Sequence, residues 1–204
     1  MPLHLTPLLI ALPAAAYLLG SIPFGLLLAS AMAGVDLRKV GSGNIGATNA
    51  RRIAGNTAGA LTLAADVLKA AVPTAVALWL TGMEGPAGRL FVSIVALAAF
   101  FGHLFPLYLH FRSGGKGVAT AAGGFLVLSP SAVGVALLVF VLGVCWGRRV
   151  SLGSLAAAAV LPVACWVAKG SVVITLSALL AAVGIFVRHR GNIRRIVDGT
   201  EPRI

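Results

Sequence analysis

Residues 41–52 read GSGNIGATNARR, which sets Ser42, Asn44, Thr48 and Asn49 among Gly41, Gly43 and Gly46 before closing on Arg51 and Arg52. No carboxylate lies inside. Glycines let successive backbone N–H groups turn toward one centre, hydroxyls and amides add neutral donors, and guanidinium groups supply charge and a bidentate fork for phosphate. The stretch is thus suited to holding an anion, although the same composition also serves a plain loop between apolar runs.

Three further segments carry polar chemistry. Residues 114–117 (GGKG) lack the spacing, the following Ser/Thr and the preceding strand of a nucleotide-binding P-loop, which leaves a glycine turn with Lys116 at a helix start. There the dipole favours a phosphate, or Lys116 merely marks the end of a span. Residues 148–154 (RRVSLGS) read as a turn followed by a helix start, with Ser151 or Ser154 as a cap or an anion donor, and no Asp or Glu close by in sequence to build a hydrolase triad. The tail RHRGNIRR (188–195) suits anionic lipid heads, but His189 between two arginines is expected to be held neutral, able to accept a proton or donate to an anion. His103 reads as a packing hydrogen-bond donor within a span. Asp66 and Lys69, at i and i+3, share a helical face and are expected to pair and brace the helices, with substrate contact as the alternative.

The elements that position these segments are membrane helices. The 204 residues are 59% hydrophobic and 10% charged, against about 25% charged in soluble domains, with a mean hydropathy of +1.00. The formal charge of +11 sits in short loops, where it sets topology, so nucleic acid is a poor partner. No Asp, Glu, Lys or Arg precedes Asp36, so the apolar start lacks the basic head of a signal peptide and reads as a retained first span. Cys145 and Cys165 show no metal-ligand or disulfide pattern. Candidate spans are 4–33, 57–81, 89–110, 117–147, 151–168 and 171–187. The fourth is too long and holds Ser129-Pro130-Ser131, which suggests a hairpin. That hairpin gathers Arg38/Lys39, Arg51/Arg52, Arg112/Lys116, Arg148/Arg149 and the tail on one side, opposite only Arg89 and Lys169. The reading is an all-α polytopic membrane helix bundle, one domain over 1–204, with seven transmembrane helices, N-terminus outside and C-terminus cytoplasmic. Four basic segments would then converge at the cytoplasmic surface. An enzyme acting on phosphates, a transporter of a phosphorylated metabolite and a scaffold for an acidic partner all fit that picture, although the transporter lacks internal repeats and the scaffold leaves the Gly/Asn/Thr pattern unexplained.

Gly41–Arg52, then Gly102-His-Leu-Phe-Pro106 with Gly114–Thr120, then Arg188–Ile193 with Gly199-Thr-Glu201, resemble in order and spacing the three cytoplasmic motifs of the bacterial acyl-phosphate:glycerol-3-phosphate acyltransferases, the PlsY family. The resemblance implies a multi-pass inner-membrane enzyme with its active site on the cytoplasmic side. It would move a fatty acyl group from acyl phosphate to the 1-hydroxyl of sn-glycerol 3-phosphate, without metal or cofactor, beside a soluble enzyme that makes acyl phosphate. By motif position it implies catalytic roles for His189, Ser151 and Lys116. Substrate binding falls to Ser42, Asn44, Gly46, Thr48, Asn49, Arg52, Gly114, Gly115, Lys116, Gly117 and Asn192, and Glu201 joins Asp66 and Lys69 as a structural residue. The chain departs from the pattern by one extra residue near Ser113 and by Arg51 beside Arg52.

Overall fold

A computed structural model of the chain describes residues 6–203, so the first two residues of the expected 4–33 span lie outside the described ones. Among the described residues the regular structure is helical: α1 (Thr6–Ser21), α2 (Phe24–Ala33), α3 (Ala47–Thr81), α4 (Gly85–Leu104), α5 (Val118–Leu128), α6 (Pro130–Gly147), α7 (Val150–Lys169), α8 (Val172–Arg188) and α9 (Arg190–Val197). Five stretches are long and apolar enough to cross a membrane: Leu9–Ala33, Ala47–Thr81, Gly85–Leu109, Pro130–Gly147 and Val150–Lys169. The pair α8 and α9, bent by 60°, makes a sixth.

Glycine and proline account for the places where helices depart from the expected spans. Pro23 has no N–H to donate, and the first stretch breaks there into α1 and α2. α3 begins at Ala47, ten residues before the expected start of its span, and kinks at Gly55, whose φ of 89° lies where side chains are disfavoured. α4 stops at Leu104, short of the expected 110, and a single 3-10 turn (Leu107–Leu109) follows.

The 117–147 stretch breaks at Ser129, which ends α5 and precedes α6. The start of α5 and the residues just after α6 both belong to one polar cluster, described below, so the chain reverses at Ser129. With 11 residues α5 is about 16 Å long and cannot cross a core of about 30 Å. Its solution is burial: Thr120, Ala121, Gly123, Gly124, Phe125 and Leu128 are enclosed, chiefly against α3 and α4. By contrast α6 packs mainly on α7 and keeps most of its surface exposed, as suits a lipid-facing helix.

Small residues let the backbones meet. A side chain on Gly20 would strike the Ala99 carbonyl, and one on Gly102 the Tyr17 carbonyl, so α1 and α4 touch main chain to main chain. Tyr17 Oη donates to the Phe105 carbonyl at 2.6 Å and fixes the register of that pair.

Candidate functional site

Four loops or helix starts meet at one end of the bundle. The 34–46 loop is held from inside by Asn49 on the first turn of α3. Its amide nitrogen donates to the carbonyls of Leu37 (3.3 Å), Val40 (3.2 Å) and Asn44 (3.0 Å), and its oxygen accepts from Ser42 N at 3.1 Å. Asn49 is 2% exposed, and every hydrogen bond its side chain makes goes to the backbone. Expected among the substrate-binding residues, it is instead the loop's internal anchor. Asn44 Oδ1 accepts from Gly46 N at 2.9 Å, which leaves the Asn44 amide nitrogen as a donor.

The 112–117 turn is pinned from two directions. Arg188, at the end of α8, donates through Nε to the Gly115 carbonyl (3.0 Å) and through Nη2 to the Gly114 carbonyl. Gly115 N donates to the His103 carbonyl at 3.0 Å, and the His103 ring fills the place a Gly115 side chain would need. Beneath lies a buried triad: Lys69 Nζ donates to Asp66 Oδ1 (2.7 Å), His103 Nδ1 (2.7 Å) and the Ile22 carbonyl at the α1–α2 break (3.2 Å). All three ammonium donors are used. Asp66 and Lys69 form the expected ion pair, and its contacts reach α4 and the glycine turn through His103.

On the other side Glu201 draws in the tail. Its Oε1 accepts from Ser151 Oγ (2.7 Å) and Asn192 Nδ2 (2.6 Å), its Oε2 accepts from Arg195 Nε (2.7 Å), and its carbonyl accepts from Arg149 Nε (3.1 Å). Ser151, with no carboxylate near it in sequence, therefore has one in space, 50 residues away. Burial disfavours the charged carboxylate, but the hydrogen bonds from Ser151, Asn192 and Arg195 outweigh it and hold Glu201 below its ordinary value.

Between these walls lies an open cleft of about 220 Å³ lined by Ser42, Gly43, Asn44, Ser113, Gly114, Lys116, Arg188, Gly191, Asn192 and Arg195. Of the expected residues, Ser42, Asn44, Gly114, Lys116 and Asn192 line it. Gly46, Gly115 and Gly117 sit behind it as turn and cap positions, Ser151 and His189 are buried outside its lining, and Thr48 and Arg52 are exposed. Gly43, Ser113, Arg188, Gly191 and Arg195 complete the lining beyond the residues expected to bind substrate. Ser113, the extra residue of the second motif, adopts a positive φ of 54° in the cleft wall.

The cleft is cationic by construction. Helices α5 and α9 start at its wall, and neither has a side-chain cap hydrogen bond, so N–H groups and dipole ends add to the side-chain charge. Burial pushes the Lys116 ammonium down to about 8; Glu201 opposes that shift, and Arg195, Arg188 and Arg52 reinforce it. His189, 2% exposed, is pushed down to about 4, by burial first and by Lys116 second. Its neutrality was expected, but from the flanking arginines. With the ring neutral, Nδ1–H donates to the Ile185 carbonyl at 2.8 Å and Nε2 is left as the acceptor.

Replacing Lys69 by Met strands the Asp66 charge beside His103. A loss of about 3–5 kcal/mol of unfolding free energy is expected in mixed-micelle denaturation, with part recovered in the Asp66→Asn/Lys69→Met double variant. Equal losses in single and double variants would contradict the bracing role.

Comparison with known proteins gives the family. The family model described as Glycerol-3-phosphate acyltransferase matches residues 10–199. A glycerol-3-phosphate acyltransferase of Anaeromyxobacter sp. (strain Fw109-5) is 50% identical over 202 residues, covering 98% of each chain. That of Syntrophotalea carbinolica is 48% identical over 189 residues, 93% of this chain and 94% of the relative. Among solved structures, PlsY (YgiH), an integral membrane glycerol 3-phosphate acyltransferase, superposes in its glycerol 3-phosphate form with a TM-score of 0.90 at 39% identity, covering 96% of this chain and 95% of that one. Its lysophosphatidic acid form superposes with a TM-score of 0.86 at 36% identity, over the same shares. The chain is a multi-pass integral membrane protein, and it belongs to the glycerol-3-phosphate acyltransferase family.

Proposed function

We propose that the cleft is the active site of an acyl-phosphate-dependent enzyme that acylates the 1-hydroxyl of sn-glycerol 3-phosphate. The products are 1-acyl-glycerol 3-phosphate and inorganic phosphate, the first step of phospholipid synthesis. The observation that carries the reading is the cleft wall: Lys116, Arg188 and Arg195 with the uncapped starts of α5 and α9, and behind it one buried carboxylate already engaged by its neighbours. Such a wall suits two phosphate-bearing substrates brought together, and relatives are known in glycerol 3-phosphate and lysophosphatidic acid forms.

In this scheme Ser42 and the Asn44 amide face the acyl-phosphate head, with Thr48 and Arg52 at the outer rim, while Lys116, Asn192 and Arg195 hold glycerol 3-phosphate. The 1-hydroxyl oxygen attacks the carbonyl carbon. The bond from that carbon to the bridging oxygen then breaks, and phosphate leaves with the electron pair. Acyl phosphate is a mixed anhydride and already activated, so the step calls for no metal or cofactor. Burial and Lys116 favour the neutral form of His189, and in this scheme the departing phosphate takes the hydroxyl proton. His189 and Ser151 act from behind the wall, His189 as a neutral neighbour of Lys116 and Ser151 through Glu201.

The acyl chain lies between helices, open to the bilayer. The seven-segment arrangement, counting α1 with α2 as one span and α5 as a buried segment that enters from the cleft end and turns back into α6, puts the N-terminus outside. It also puts the cleft and the C-terminus on the cytoplasmic side of a bacterial inner membrane, within reach of the soluble enzyme that supplies acyl phosphate. The charge distribution supports this, since of the basic residues in the connecting loops only Arg89 and Lys169 fall at the opposite end.

Purified protein in a lipidic phase should form lysophosphatidate and phosphate in equal amounts from acyl phosphate and glycerol 3-phosphate, and neither from acyl-CoA. Binding of glycerol 3-phosphate with no product would favour transport instead. Because Lys116 loses its charge near pH 8, kcat/KM should fall above that pH, and Lys116→Arg should move the fall upward by at least one pH unit. A wild-type profile flat to pH 10 would remove Lys116 from phosphate binding.

A further inference from the structure

A second cavity, of about 310 Å³, opens at the α6–α7 turn, lined by Trp146, Gly147, Arg148, Arg149, Leu152 and Arg203. It shares no residue with the substrate cleft. Among the described residues none of the three guanidinium groups that border it has a carboxylate partner: Arg148 and Arg203 have no hydrogen-bond acceptor there, and Arg149 uses Nε on the Glu201 carbonyl. By contrast Arg38 pairs with Asp36 and Arg195 with Glu201. Like charges crowded around one opening repel, and an anion between them relieves that repulsion.

Depth and shape narrow the choice of anion. The cavity sits where α6 ends and α7 begins, both long enough to cross the bilayer, so it lies at the level of the lipid headgroups. Trp146, on the last turn of α6, is 87% exposed, and an indole at that depth packs on the upper part of an acyl chain while its N–H reaches the interface. Leu152 supplies a further apolar wall. Arg148 occupies a left-handed backbone position (φ 50°, ψ 30°) where glycine or asparagine is ordinarily favoured, so this turn carries its guanidinium against local preference. Arginine presents a planar fork to phosphate oxygens.

We propose that Trp146, Arg148, Arg149 and Arg203 form a binding site for the phosphate headgroup of an anionic bilayer phospholipid, separate from the substrate cleft. The lipid phosphate sits among the guanidinium groups and its acyl chain runs down α6 past Trp146. Through Arg149 the occupied site abuts the main chain of Glu201, the residue that ties Ser151 to Asn192.

The test uses the full chain with Trp79 and Trp166 replaced by Phe, so that Trp146 is the remaining fluorophore. It is reconstituted in nanodiscs containing equal fractions of phosphatidylglycerol or phosphatidylcholine with brominated acyl chains. Brominated phosphatidylglycerol should quench Trp146 at least twofold more steeply than brominated phosphatidylcholine. Arg148→Gln/Arg203→Gln should abolish the difference, while Arg190→Gln, an exposed arginine on α9 outside the cavity, should leave it. Millimolar inorganic phosphate or glycerol 3-phosphate should not displace the lipid. Equal quenching by the two lipids would overturn the proposal, as would loss of the difference in Arg190→Gln, which would reduce it to general surface charge. Displacement by inorganic phosphate would overturn the lipid assignment in favour of a free-phosphate site.

Discussion

The carboxylate of Glu201 is the contact on which the polar end of the bundle depends. It joins α7 through Ser151 to α9 through Asn192 and Arg195, while its main chain holds Arg149. Of the five carboxylates in the chain, Asp66 lies in the core, Asp36 and Asp198 pair locally with arginines, and Glu84 stands before α4 at the far end. Glu201 alone is placed within a crowd of cations whose mutual repulsion would otherwise spread the tail away from α7 and the glycine turn. One carboxylate suffices to organise them and leaves an excess of positive charge facing the cleft.

Its counterpart is the Asp66–Lys69–His103 triad on the other side of the glycine turn. Lys69 closes the α1–α2 break on its Ile22 contact, and the His103 ring lies where any side chain on Gly115 would have to go. Together with Arg188 on the Gly114 and Gly115 carbonyls, this fixes the turn that presents Lys116. Lys116 is thus held by main-chain contacts around it and keeps its ammonium uncommitted, which is what a phosphate-binding cation needs. The low basicity of His189 comes first from its burial, and the charge of Lys116 beside it adds to that.

Much of this was legible in the residues. Pro130 announced the break after α5, the i, i+3 spacing of Asp66 and Lys69 announced their pairing, and the lopsided distribution of arginines announced that four basic segments share one end. What could not be read were contacts made at long range or decided by loop dihedrals. Asn44 and Asn49 are the same residue type five positions apart, yet one lines the cleft and the other turns inward to close the loop. Local sequence leaves Ser151 without a carboxylate, because the one that binds it arrives from the far end of the chain. Helix α3 takes in the last six residues of the first motif and kinks at Gly55, so Thr48 and Arg52 ride on a helix surface.

The most direct measurement is the affinity of the Glu201→Gln variant for glycerol 3-phosphate, by calorimetry on protein whose helical content matches the wild type. If Glu201 organises the cleft, exchanging its second oxygen for an amide that cannot accept from Arg195 should weaken binding at least tenfold, about 1.4 kcal/mol. Unchanged affinity in a fully folded variant would contradict the account, because the cations would then hold their places without the carboxylate.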